Sequence, residues 1–234
     1  MRQIFLDTET TGLSADNGDR IIEIGCVEML SRKLTGSHIH FYLNPGRDSH
    51  EDALRVHGIS NDYLRDKPPF SAVVDELLEY LADAEIIIHN ASFDVGFLNK
   101  ELELVGRRPF PQYVGGITDT LAMAKELFPG KRNSLDSLCD RLGVDNSGRT
   151  LHGALLDAEL LADVYINMTR GQEALQIDAD SSTVDAGSAP AIDLRQFDLP
   201  ILRANVGEMQ AHAEMLRQLD KASGGKTIWQ LDEA

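Results

Sequence analysis

Apolar residues come first in short runs and then at helical spacing. Gln3 to Leu6 is mostly apolar and reads as a buried strand. Arg20 to Leu30 reads as a longer strand, and Lys33 to Asn44, where Ile39, Phe41 and Leu43 alternate, as a third. A polar loop with an Asn17-Gly18 turn and an Asn44-Pro45-Gly46 turn punctuate this run. The three strands are therefore expected to be consecutive antiparallel neighbours. The pattern then turns helical. Glu51 to His57 is a short helix closed by Gly58. Phe70 to Ala84 follows Pro68-Pro69 and carries Val73, Val74, Leu77, Leu78 and Leu81 on one face. Glu85 to His89 is a short apolar run of the kind found in buried parallel strands. Ser92 is placed to cap a helix reaching about Val105 and stopped by Gly106. Gly115 to Thr118 suits a short edge strand, and helices are expected over Thr120–Phe128, Ser134–Leu142 and Gly153–Thr169. This order describes an α/β domain with a mixed sheet flanked by helices.

Composition changes at Gly171. Asp178 to Ala191 is built from Asp, Ser, Ala, Gly and Pro with almost no large apolar residue, as in a flexible linker. Val206 to Ala222 is again helix-compatible. The last residues hold Ile228 and Trp229, the single Trp of the chain, in a segment too short for a core of its own. The expected organisation is a domain over residues 1–171, a flexible linker over 172–193 and a docking segment over 194–234. A tail packed back on its own domain is the alternative.

A net charge of −16 argues against a basic face for duplex binding. It leaves room for a nuclease whose acids gather metal ions. Cys26 and Cys139 sit in apolar or helical surroundings, as buried thiols of a reducing compartment do. No run approaches the roughly 18 apolar residues of a membrane span, and a strand stands where a secretory leader would begin. A cytoplasmic protein is expected.

Asp7 and Glu9 follow the first strand, and the two-residue period of a strand points them to one side. No Lys or Arg lies between Arg2 and Arg20 to separate the charges. A divalent metal with oxygen ligands resolves the repulsion most simply; a solvated acidic turn would carry the same residues. Asp94 falls in the first turn of a helix directly after a buried strand, where an ordinary Asp is also at home. Asp157 stands among Leu156, Ala158, Leu160 and Leu161, and an acid so placed needs a partner. His152, in the loop entering that helix, can swing over a site that Asp157 lines. Four carboxylates suit two divalent ions about 3.5–4 Å apart, as in phosphoryl displacements, and a neutral His can take a proton from attacking water.

Asp-x-Glu, Asn-x-x-Phe-Asp and His-x-x-x-x-Asp together resemble the DEDD superfamily of 3′→5′ exonucleases, in its His-containing branch. The match extends through Asp7-Thr8-Glu9-Thr10-Thr11-Gly12, Val56-His57-Gly58-Ile59, His89 to Asp94, Phe128 to Asp136 and Arg149 to Ala158. In that combination the chain is similar to the proofreading exonuclease subunits of bacterial replicative polymerases over about residues 2 to 172, and more loosely through a Gly-Gly-x-x-x-Trp pattern in its tail.

The resemblance implies an RNase H-like fold and a 3′→5′ exodeoxyribonuclease releasing deoxynucleoside 5′-monophosphates with two Mg²⁺ or Mn²⁺ ions. It assigns Asp7, Glu9, Asp94 and Asp157 to the metals and makes His152 the general base. Thr10, Thr11, Gly12 and His57 fall at positions that meet the terminal nucleotide. So does Asp52, where the family commonly carries Glu. Lys131 and Arg132 are candidates for strand phosphates. A frayed or single-stranded 3′ end of DNA is the implied substrate. The tail implies docking to the polymerase (alpha) subunit, and Gln172 to Ile177 lies where relatives carry a weak sliding-clamp motif. Two rivals remain: an exoribonuclease with the same site, and a non-catalytic scaffold subunit.

Overall fold

The computed structural model describes residues 2–170 and 204–225. Strands β1 (Arg2–Thr10), β2 (Ile21–Leu30), β3 (Lys33–Tyr42), β4 (Glu85–Ile88) and β5 (Gly116–Asp119) form one sheet in the order β3-β2-β1-β4-β5. β1 pairs antiparallel with β2, and β2 with β3; β4 joins β1 in parallel and β5 joins β4 in parallel. The mixed sheet and its five strands fall where the apolar pattern puts them. β1 runs further than the apolar run, through Thr10, because its ladder with β2 continues to the pair Thr10 and Ile21. Asp7 and Glu9 therefore sit within the strand and not beyond it.

Helices cover both faces. α1 (Glu51–His57), a one-turn α2 (Asn61–Leu64), α3 (Phe70–Leu81) and α4 (Ala91–Leu104) precede α5 (Thr120–Leu127), α6 (Leu135–Leu142) and α7 (Ala154–Met168). Strand parity divides the core. Ile4 and Leu6 face Val73, Leu77, Phe97 and Leu98 from α3 and α4. Phe5, with Val27 and Met29 across the ladder, faces Leu138, Leu161 and Val164 from α6 and α7. Asp7 and Glu9 follow Phe5 on that second face. α7 lies along it, with Tyr165 edge-on to Phe5 at 5.5 Å between ring centroids. Both cysteines are free and buried.

Ser92 is not the cap of α4. The N-cap is Asn90, left-handed at φ 67°, without a side-chain cap bond. Asn tolerates the left-handed region better than most residues because its side chain is short and polar, and it is held from outside: its N–H donates to Asp119 Oδ1 at 3.1 Å. The same oxygen accepts from Leu121 N–H at 2.9 Å and so caps α5. This clamp fixes where α4 starts, and with it Asp94.

Gly25 fixes where α7 starts. It pairs across the ladder with Asp7, and a Cβ on it would fall 2.3 Å from Ala154 C and Leu155 N. Only a glycine lets the first turn of α7 touch the sheet beside Asp7.

The chain divides into two compact units, Met1–Gln176 and Ile177–Ala234. In the second, α8 (Val206–Ser223) opens on a capping box between Asn205 and Glu208 and closes on left-handed Gly224. Val206, Met209, Met215 and Leu219 stand exposed along it. The linker, Gln172–Ile177, Ile228 and Trp229 lie outside the described residues.

Substituting Gly25→Ala should push α7 off the sheet and destabilise the domain by about 1–3 kcal/mol, the usual range for overpacking. Urea denaturation of the variant measures this; an unchanged midpoint would contradict the close approach.

Candidate active site

One cleft of about 430 Å³ collects the candidate chemistry. Asp7 and Glu9 enter it from β1, Asp94 from the first turn of α4, Asp157 from the first turn of α7 and His152 from the loop before α7. The five residues expected to act together are thus brought together from three separate stretches of chain. Glu9, His152 and Asp157 each offer a ligand atom within 4.8 Å of the others. Asp94 and Asp157 are 3% exposed and Glu9 9%, whereas the His152 side chain is 45% exposed at the mouth.

Buried acids at such distances resist ionisation. For Asp7, burial first, and then the charges of Asp94, Glu9 and Asp157, push the carboxyl well above its usual range. Glu9 is pushed up to about 8 by burial, then by Asp157 and Glu23. Asp94 rises to about 7, again chiefly through burial, although Thr8 Oγ1 donates to its Oδ1 at 2.7 Å. Asp157 goes the other way. Burial works against its anion, but the two bonds from the Arg149 guanidinium hold it below the usual range.

Arg149 is the residue that reading the sequence missed. Its Nε donates to Asp157 Oδ1 and its Nη2 to Oδ2, each at 2.6 Å. Nη2 also meets His152 Nδ1 at 2.7 Å, and Nη1 reaches Asp136. The guanidinium is buried, 5% exposed. The cation that the first strand lacks is therefore supplied from the far end of the domain. In the sequence it opens the Arg149 to Ala158 stretch that carries the resemblance, three residues before His152, with nothing to mark it as a partner of Asp157. Thr8 and Leu13 were missed as well. Thr8 lies on the opposite face of β1 from Asp7 yet reaches Asp94, and Leu13 lines the rim of the cleft with 86% of its surface exposed.

The other candidates lie around the cleft and not in its lining. Thr10 Oγ1 donates to the Gly12 carbonyl at 2.6 Å. Thr11 Oγ1 donates to Asp19 Oδ1 at 3.2 Å and accepts from Arg20 N–H at 3.0 Å. Gly12 packs where a Cβ would meet Asp19 and His50. Asp52 is solvent-exposed on α1 and pairs with Arg55. His57 is buried; its Nδ1 accepts from Ile59 N–H at 3.0 Å, so Nε2 carries the proton, and that atom has no partner among the described residues. Lys131 and Arg132 are exposed ahead of α6. The loop carrying His152 is tied to the end of α1 by a bond from His152 N–H to the Val56 carbonyl at 3.1 Å.

The donor set fits a hard divalent cation, which prefers carboxylate oxygens. The upward shifts of Asp7, Glu9 and Asp94 show what such a cation would relieve. In EDTA the folded chain keeps protons on Glu9 and Asp94 that the unfolded chain releases near pH 4. Raised carboxyl values therefore favour folding at low pH, and that contribution is lost as pH rises through about 7 to 8. Thermal melts in EDTA should fall between pH 5 and 8, and saturating Mn²⁺ should raise them most at the alkaline end. Metal-free stability that is flat or rising across this window would contradict the electrostatics.

Residues 4–165 match the family model described as "Exonuclease". The chain is 48% identical to the DNA polymerase III subunit epsilon of Pasteurella multocida (strain Pm70), covering 98% of this chain and 93% of that one. It is 46% identical to the same subunit of Haemophilus influenzae (strain ATCC 51907 / DSM 11121 / KW20 / Rd), covering 97% and 94%. Among solved structures it is similar to exonuclease X in complex with 5′ overhanging duplex DNA. The TM-score is 0.57 and the identity 25%, over 71% of this chain and 90% of that one.

Proposed function

Because the chain belongs to the exonuclease family, among the DNA polymerase III epsilon subunits, we propose that its cleft is the active site of a metal-dependent 3′→5′ exonuclease that proofreads DNA. The observation that carries this reading is the convergence of Asp7, Glu9, Asp94 and Asp157 with His152 on one cleft. Asp7, Glu9, Asp94 and Asp157 would hold two divalent ions, Mg²⁺ or Mn²⁺. Bound there, the ions would supply positive charge for the attacking and leaving oxygens of phosphodiester hydrolysis.

The chain's own residues have separate tasks. His152, at the open mouth, takes the proton of the attacking water as a neutral imidazole. Thr8 orients Asp94 through its hydroxyl. Leu13 offers an exposed apolar face at the rim for the terminal base. Thr10 to Gly12 shape the turn beside it, and His57, buried with its Nε2–H unpartnered among the described residues, and the exposed Asp52 flank that side on α1. The product is a deoxynucleoside 5′-monophosphate. Preference for a mispaired end follows from the lower cost of fraying it.

The domain over 1–171 would carry this chemistry, with a linker over 172–193 and a docking segment over 194–234. The exposed apolar residues of α8 support a partner-binding role for that segment. Its partner would be the polymerase (alpha) subunit, which would hold the nuclease at high local concentration near the primer end. A sliding-clamp contact through Gln172 to Ile177 belongs to the same reading. No described helix is long and apolar enough to cross a membrane, consistent with work in the cytoplasm.

Two experiments test this. A 5′-labelled DNA oligomer should be shortened from its 3′ end with Mg²⁺ or Mn²⁺ and left intact in EDTA. Asp7→Ala should lose activity below detection with its circular dichroism unchanged, and His152→Ala should lose about 10²–10⁴-fold. Full activity of Asp7→Ala, or faster digestion of an RNA oligomer than of DNA, would overturn the assignment. Separately, the full chain should bind polymerase subunit and a chain ending at Gly171 should not; equal binding would reject the tether.

A further inference from the structure

Arg149 has no task in the chemistry above, yet it holds the centre of the site. A guanidinium donates and never accepts, so the His152 Nδ1 atom 2.7 Å from Nη2 must present its lone pair. The imidazole then carries its proton on Nε2 and has no lone pair left for a water. The 3.3 Å approach of that Nδ1 to Asp157 Oδ2 is consequently a contact and not a hydrogen bond. Both oxygens of Asp157 are bonded to the same guanidinium. One side chain thus covers a metal ligand and the base together.

There is also a place for it to go. Nη1 already reaches Asp136, whose side chain is 54% exposed on α6. Beyond Arg149 lies a second cleft of about 330 Å³, lined by Arg55, Val56, Asp136, Leu151 and His152. Gly148, directly before Arg149, has open space around it. Turning toward Asp136 would free Asp157 and His152 while keeping one carboxylate partner.

We propose that Arg149 is a resident counter-cation that locks the site: it occupies Asp157 and the lone pair of His152 until a divalent ion displaces it toward Asp136. This rests on the exonuclease reading of the same cleft. It makes metal loading and unmasking of the base a single event. The guanidinium stabilises an otherwise uncompensated buried carboxylate before loading. It also opposes loading, because two cations compete for one carboxylate.

The test is Mn²⁺ binding by calorimetry at pH 8 without DNA, on the full chain and on R149Q and R149K, paired with thermal melts in EDTA and in saturating Mn²⁺. R149Q should bind Mn²⁺ about ten-fold more tightly or better, the scale of losing a charge-assisted contact. It should melt several degrees below wild type in EDTA and recover most of that loss with Mn²⁺. R149K keeps the charge without the two-pronged geometry and should fall between. Unchanged or weaker Mn²⁺ affinity in both variants would overturn the lock, as would a melting loss that persists undiminished in Mn²⁺. Wild type binding no Mn²⁺ and showing no metal-dependent nuclease activity would overturn the exonuclease reading along with it.

Discussion

Repulsion among buried carboxylates is the constraint to which this domain is built. Asp7, Glu9 and Asp94 are all driven toward their neutral forms by burial and by one another. A fold selected for stability alone would not keep three acids there, since unpaired buried charge is among the most destabilising features a protein can carry. The surrounding structure holds them in place all the same. The β1–β2 ladder continues past the acids to Thr10, Asp119 clamps the start of α4, and Gly25 lets α7 bring Asp157 against the sheet. The ladder sets the positions of Asp7 and Glu9, the Asp119 clamp that of Asp94, and Gly25 that of Asp157.

Strand parity then divides labour across the sheet. On one face Ile4 and Leu6 anchor the core under α3 and α4. On the other, Phe5 packs under α7 and the next two residues of the same parity are acids. α7 covers both halves of that second face, with Tyr165 over Phe5 and Asp157 at the cleft. A single helix therefore couples core packing to the spacing of the carboxylates.

Much of this was legible in the chain. The two-residue period places Asp7 and Glu9 on one side whether β1 ends at Leu6, where the apolar run stops, or at Thr10. The apolar runs located four strands and the Gly-Gly-Ile-Thr stretch the fifth, and Asp157 among leucines announced a buried acid. What was not legible depends on long-range geometry. Arg149 lies in a polar loop without periodicity, and nothing local says that it reaches a carboxylate eight residues on. The left-handed Asn90 is set by Asp119, 29 residues away, so Ser92 looked like the better cap. Leu13 reads as an unremarkable loop leucine until the cleft beneath it is seen.

The most direct measurement is anomalous diffraction from a crystal of the protein soaked in Mn²⁺. The expected result is metal density within about 2.0–2.6 Å of carboxylate oxygens of Asp7, Glu9 and Asp157, the bonding range of hard divalent cations. Well-ordered carboxylates with no metal density among them, in a crystal saturated with Mn²⁺, would contradict the claim that this cluster exists to hold metal.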